Sequence, residues 1–285
     1  MAKVSPPGVK RPAGRGSLES SVPSPQSSVT RYRAVLAYVG TRFHGWQIQE
    51  NAARTVQAVL EKALARFSGD SPRAVAAGRT DRGVHADGQV VHFDLATDAD
   101  AARVRDGVNS HLPSDVRLLE VEPAAPDFDA RRDAAWKEYL YRWSRAEVIP
   151  PRDAPFVAPI SRRADPDAMR AAAGLLPGRR DFGVFGVRLP AAESAVRRLD
   201  LVRIEEQADE IRASFRGEAF LRGMVRSICG TLADVARERV PPERIRELLE
   251  TGDRSLLSQK APACGLTLLR VHYDKIDPFP FTLMP

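Results

Sequence analysis

The chain has two cysteines, Cys229 and Cys264, each set among apolar neighbours in SICGT and PACGL. That excludes a disulfide framework and a paired-cysteine metal motif, and it fits a reducing compartment. The histidines His44, His85, His92, His111 and His272 show no HxxxH or related ligand spacing, so no metal is expected. Neither GxGxxG nor a GxxxxGK phosphate loop occurs, and no cofactor is expected. A nucleophile-elbow serine is also missing. No apolar run approaches the length needed to cross a bilayer, and residues 1–29 lack the apolar segment of a secretory signal. A cytoplasmic protein without membrane attachment is the expectation.

What is present is enough for sizeable cores: 285 residues with 43% hydrophobic side chains. Lys and Arg number 43 against 37 acidic residues, a net charge of +6 that tilts the expected partners towards polyanions. The organisation reads as a disordered Pro/Ser/Gly-rich tail over 1–29, an N-terminal unit over 30–130, a C-terminal unit over 131–276, and a short extended strap over 277–285.

The run YRAVLAYV from Tyr32 to Val39 is β-branched and aromatic enough for a strand covered on both faces. Thr55 then caps a helix whose Val56, Val59, Leu60, Ala63, Leu64 and Phe67 share one face. Strands follow over Ala74–Ala77 and Gln89–Leu95, then a helix from Asp100 to about Ser110 and a strand over Val116–Val121. Strand, helix, strand, strand, helix, strand is the ferredoxin-like order, common among RNA-recognition domains. The second half repeats it: strand Trp136–Ser144, helix Pro166–Leu176, strands Arg197–Ile204 and Glu210–Phe215, a long helix from about Ala219 to Ala236, a short helix between Pro242 and Gly252, and a strand over Gly265–Tyr273. The fold class is therefore α+β, with two ferredoxin-like halves, a mixed but mainly antiparallel sheet, and a central basic cleft where two sheets lie edge to edge.

The stretch AVAAGRTDRGVHADGQVVHFDL, starting at Ala74, concentrates the candidate chemistry. It sets Gly78, Arg79, Asp81, Arg82, Gly83, His85, Asp87 and Gly88 between two strands, and such loops on rigid sheets are where reactive groups gather. Asp81, flanked by two arginines, is the leading candidate, although an isolated Asp is usually just a turn residue. On KEYLYRW, Lys137, Tyr139, Tyr141 and Trp143 share a face; Trp143 reads as core, and Tyr139 or Tyr141 serves equally as core or as a stacking platform for a nucleobase. Arg222 and Arg226 are four apart, which makes either a solvated basic face or a holder for a carboxylate.

These segments together carry a resemblance. GRTDRGVHADGQVVHF resembles the catalytic signature of the TruA family, the bacterial tRNA pseudouridine synthases A. GTRFHGWQIQ, VNSHLPSDV, FDARRDAAWKEYLY, DFGVF, AFLRGMVRSICG and APACGLTLLRVHY resemble further motifs of that family, in its order, from about Tyr32 to Tyr273. The resemblance implies a pseudouridine synthase fold and isomerisation of uridine to pseudouridine at positions 38, 39 and 40 of the tRNA anticodon stem-loop, by a homodimer without cofactor. It implies that Asp81 is the catalytic aspartate, that Tyr139 contacts the target uracil, that Arg226 pairs with Asp81, that Arg79 helps extrude the nucleotide, and that Leu266 packs beneath the base. Arg82, Glu138, Leu140 and Ser227 depart from the usual pattern and bear on substrate breadth. Three alternatives stay open: a synthase with another RNA target, a non-catalytic RNA-binding module, and a hydrolase that recruits Asp87 or His85 as its second group.

Deleting residues 1–29 should leave turnover nearly unchanged, because a polar tail of this kind assists RNA binding at most. A collapse of activity in the truncated protein would contradict that.

Overall fold

The computed structural model describes residues 1–2, 29–51, 54–187, 190 and 193–274. The stretches read as tail and strap thus lie outside the described residues, apart from residues 1–2 and Val29, which opens the first strand.

Strand β1 (Val29–Tyr38) is followed by α1 (Val56–Ser68), whose N-cap Thr55 accepts a hydrogen bond from the Ala58 amide. Strands β2 (Val75–Ala76) and β3 (His85–Ala96) bracket the Asp81 loop. Helix α2 (Ala101–His111) is capped by the Asp100 carboxylate and leads to β4 (Val116–Pro123). The second half contributes β5 (Trp136–Ser144), β6 (Ala158–Pro159), α3 (Pro166–Ala173), β7 (Gly178–Asp181), β8 (Val196–Gln207), β9 (Glu210–Gly217), α4 (Met224–Ala236), α5 (Arg244–Thr251) and β10 (Leu266–His272).

All ten strands join one sheet in the order β4-β1-β3-β10-β5-β9-β8-β7, with β2 paired to β3 and β6 to β5. The first half runs β4-β1-β3-β2 and the second β10-β5-β9-β8, so each has the ferredoxin-like order. The halves meet because β3 divides one edge between two partners. Val91 and His92 pair with β2, while His85 and Ala86 pair in parallel with Thr267 and Leu268 of β10. Edge-to-edge contact therefore fuses the two expected sheets into one.

Several boundaries differ from the sequence reading. Strand β3 begins at His85 rather than Gln89, which moves Asp87 and Gly88 from the loop into the sheet. Helix α3 stops at Ala173, before Leu176, with Gly174 as its C-cap. Helix α4 starts at Met224 rather than Ala219, because Gly223 takes a left-handed conformation (φ 75°) that cannot continue a helix backwards. Leu221 is buried as its spacing suggests, yet it precedes the helix.

Helix α4 is the interior element of the second half. Arg226 and Asp234 are its only residues that are not buried, and each fully buried aliphatic side chain such as Ile228 or Leu232 contributes about 1.5–3 kcal/mol. A smaller apolar cluster lies on the other sheet face, formed by Val35, Ala77, Val90, Phe128, Ala130 and Tyr273. It pins the 124–135 segment: the Tyr273 hydroxyl donates to the Ala130 carbonyl at 2.6 Å, and the Ala130 amide donates to His92 Nδ1 at 3.0 Å. Among the described residues no helix is long and apolar enough to cross a membrane.

Gly88 sits at the junction of the halves. A Cβ there would lie 2.4 Å from the Leu269 carbonyl oxygen and 3.2 Å from Arg270 Cα, backbone atoms that cannot swing aside. Gly88→Ala should therefore cost about 1–3 kcal/mol, read as a lower urea midpoint. An unchanged midpoint would show that the junction is not close-packed.

Candidate active site

The Asp81 loop is fixed from below by neutral, buried groups. The Tyr38 hydroxyl and Thr80 Oγ1 are 2.8 Å apart, Gln89 Nε2 donates to the Gly78 carbonyl at 2.7 Å, and the Gly78 amide donates back to Gln89 Oε1 at 3.4 Å. From the side, the GTRFHGWQ segment supplies backbone contacts. The Trp46 amide donates to the Thr80 carbonyl at 3.1 Å, and the Gly83 amide donates to the Phe43 carbonyl at 3.3 Å. Burial pushes the Tyr38 phenol up to about 12, so this floor stays uncharged near neutral pH.

Against that floor the Asp81 carboxylate, 21% exposed, meets two guanidinium groups. Arg226 Nη1 lies 3.6 Å from Oδ2, and Arg222 Nε lies 3.6 Å from Oδ1. Arg226 is one-fifth exposed and anchored, its Nε donating to the Ala261 carbonyl at 2.9 Å while the Ala261 amide donates to the Arg226 carbonyl at 3.0 Å. Arg222 is 77% exposed. A Cβ at Gly223, the N-cap of α4, would be 3.9 Å from Asp81 Oδ2 and 2.7 Å from Lys260 Nζ. The carboxylate thus also faces the positive end of a helix. Among the described residues no group donates a hydrogen bond to either Asp81 oxygen, so the surrounding cations hold the carboxylate without occupying its lone pairs.

Tyr139 on β5 is 7% exposed and packs edge-on to Phe220, with ring centroids 4.9 Å apart. Its hydroxyl has no hydrogen-bond partner among the described residues and lies 3.8 Å from where a Gly78 Cβ would be. Burial, then the nearby Tyr38 and Asp81, raise its pKa, so it remains a neutral phenol. Tyr141 is fully buried and donates to the Pro262 carbonyl at 2.8 Å, which makes it core; Trp143 is core as well. On β10, Leu266 and Leu268 stand opposite Tyr141 and Tyr139, which puts buried Leu266 on the tyrosine face. Arg79 is exposed and has no ion-pair partner among the described residues. It lines a hollow of about 200 Å³ together with Trp46, Gln57, Arg73 and Arg131.

The other candidates, His85 and Asp87, make no side-chain hydrogen bond or ion pair with Asp81. His85 is buried and accepts from the Gly40 amide at 3.1 Å through Nδ1, and burial lowers its pKa, so it acts as a neutral packing group. Asp87 is exposed on β3. No group of three or more His, Cys, Asp or Glu that could hold a metal occurs among the described residues.

The family model described as tRNA pseudouridine synthase matches residues 34–132 and 172–274. The chain belongs to that family. It is 41% identical to the tRNA pseudouridine synthase A of Pelobacter propionicus over 241 residues, 85% of this chain and 98% of that protein. The tRNA pseudouridine synthase A of Listeria monocytogenes is 39% identical over 249 residues, 86% of this chain and all of the relative. Among solved structures, a chain of a Cbf5-Nop10-Gar1 complex aligns at TM-score 0.33 and 12% identity, over 83% of this chain and 48% of that one. The family's reaction, uridine to pseudouridine, is an isomerisation.

Two parts of the site escaped the sequence reading. Phe220 belongs to a segment read as helix, where its contact with Tyr139 had no periodic signal. Lys260 stands in a polar stretch before APACGL and carries no local mark of its approach to Gly223.

The two arginines should be unequal in their effect. Removing a largely buried, anchored partner leaves a carboxylate with uncompensated surroundings, whereas an exposed pair contributes only about 0–1 kcal/mol. Arg226→Gln should lower stability by at least about 1 kcal/mol more than Arg222→Gln, measured by urea unfolding; equal effects would contradict this.

Proposed function

We propose that this protein isomerises uridine to pseudouridine in tRNA with Asp81 as its catalytic group. The observation that carries the reading is a carboxylate set among Arg226, Arg222 and the α4 N-terminus with both oxygens free of hydrogen bonds. Such an oxygen is available to a substrate atom.

Pseudouridylation breaks the N1–C1′ bond, turns the uracil, and joins C5 to C1′. The proton at C5 leaves and N1 takes one up, so nothing is oxidised or hydrolysed. One carboxylate suffices, by adding to C6 of the ring, attacking C1′, or removing the C2′ proton to give a glycal. Arg226 is the group that orients Asp81 in this scheme. Tyr139, Phe220 and Leu266 supply an apolar chamber that keeps the detached uracil from solvent, and the free Tyr139 hydroxyl offers a hydrogen bond to its edge. A uridine in a stem must first be flipped out, which costs about a few kcal/mol; exposed, unpaired Arg79 is suited to hold the strand open. Hydrolysis of the glycosidic bond would call for a second acid beside Asp81; His85 accepts from the Gly40 amide and burial lowers its pKa, and Asp87 makes no hydrogen bond or ion pair with Asp81.

In this proposal the target is the anticodon stem-loop, at positions 38, 39 and 40, bound along a basic cleft by a cytoplasmic homodimer. Tritium release from tRNA labelled at uridine C5 tests the chemistry directly, since forming C5–C1′ expels that hydrogen. Wild type should release tritium and Asp81→Asn should lose at least about a thousandfold, the scale on which removing a catalytic group acts; substantial release by the variant would remove Asp81 from the mechanism. Light scattering on the active protein should give twice the chain mass, and a fully active monomer would overturn the dimer.

A further inference from the structure

Lys137 is a buried cation that the mechanism leaves unused. It is 7% exposed on β5, two residues before Tyr139 and on the same face. Its side chain lies along Gly78: a Cβ there would be 3.6 Å from Lys137 Cε and 3.8 Å from the Tyr139 hydroxyl. No hydrogen bond or ion pair joins it to any described residue. The charge that acts on it is another cation, Arg131, and burial followed by Arg131 lowers its pKa to about 8. Arg131 is likewise without an ion-pair partner among the described residues, and it lines the same hollow as Arg79.

The groups around Lys137 offer no compensating acid. Beside it in the sheet stand Gly217 of β9 and Val271 of β10, neither titratable. From the 124–135 segment Arg131 acts on it, and the loop that begins at Gly78 carries exposed Arg79 and the Asp81 carboxylate, which Arg226 and Arg222 already face. Two like charges brought together with one of them desolvated are unfavourable unless an anion joins them. The proposed substrate carries one such anion per nucleotide.

We propose that Lys137 and Arg131, with Arg79 at the rim, form a preformed site for a phosphodiester of the RNA chain beside the target nucleotide. This rests on the reading of the protein as a tRNA pseudouridine synthase. The substrate then supplies the missing negative charge, and correct seating of the backbone positions the flipped uridine over Asp81. Lys137 and Arg131 act here through binding and positioning.

Protonation makes the site testable. The free protein holds Lys137 protonated below about pH 8, and a bound phosphodiester raises that pKa. Affinity is therefore full below pH 8 and falls above it, by at most tenfold per pH unit, because a proton must then be taken up on binding. The experiment measures the Kd of unmodified tRNA against salt and pH for wild type, Lys137→Gln, Lys137→Arg and Arg131→Gln, with melting temperatures to verify folding and with inorganic phosphate as a competitor. Lys137→Gln and Arg131→Gln should each lower the slope of log K against log salt by about one. Lys137→Arg, which stays charged, should keep the slope and lose the loss of affinity above pH 8. Phosphate at millimolar concentration should compete weakly with wild type and less with either Gln variant; equal competition would assign the anion to another site. Unchanged salt slopes in folded Gln variants, or a persistent alkaline decline in Lys137→Arg, would overturn the proposal while tritium release by wild type leaves the functional reading standing. A wild type that neither binds nor turns over tRNA would overturn both.

Discussion

The structure depends on the meeting of one carboxylate and one guanidinium from opposite halves of the chain. Asp81 belongs to a loop of the first ferredoxin-like half and Arg226 to the interior helix of the second, and they stand 3.6 Å apart. Everything around them serves that approach. Gly88 lets β10 lie against β3, Gly223 begins α4 beside the loop, and the Ala261 backbone grips Arg226 from both of its polar sides. The remainder of α4 is so completely buried that Arg226 has little freedom to turn elsewhere.

Separation of charge from neutrality is the second feature of the site. Beneath the loop lie groups that stay uncharged, Tyr38, Thr80 and Gln89, bonded to one another or to the backbone. Above and beside it lie cations: Arg226, Arg222 and Lys260 towards α4, Lys137 along Gly78, and Arg131 and Arg79 lining the hollow. A rigid neutral floor with positive walls suits the gripping of a polyanion.

Much of this is legible in the sequence. Local patterns placed α1, with its Thr55 cap, and the strands around Val91 and Tyr139, because apolar periodicity is a property of neighbouring residues. Asp81 stood out for its company of Gly, Arg and His, although His85 in that company proves to be a packing group. The spacing of Arg222 and Arg226 suggested one helical face, either solvated or holding a carboxylate; both lie 3.6 Å from Asp81, yet Arg222 precedes the helix and arrives from the turn at Gly223. Periodicity extended that helix too far because Leu221 is buried like a helical residue without being one.

By itself the sequence determined the kinds of element, their repeated order, and the residue types able to do chemistry, since these follow from propensity, capping and side-chain spacing along a few turns or strands. Only the tertiary structure decided that the two halves share one sheet, that Tyr141 is core while Tyr139 has no hydrogen-bond partner among the described residues, and that Lys137 is buried along Gly78 without an ion-pair partner among them. Those outcomes depend on contacts between residues far apart in the chain. Such contacts are set by packing and by the cost of burying polar groups, neither of which leaves a local mark in the order of the amino acids.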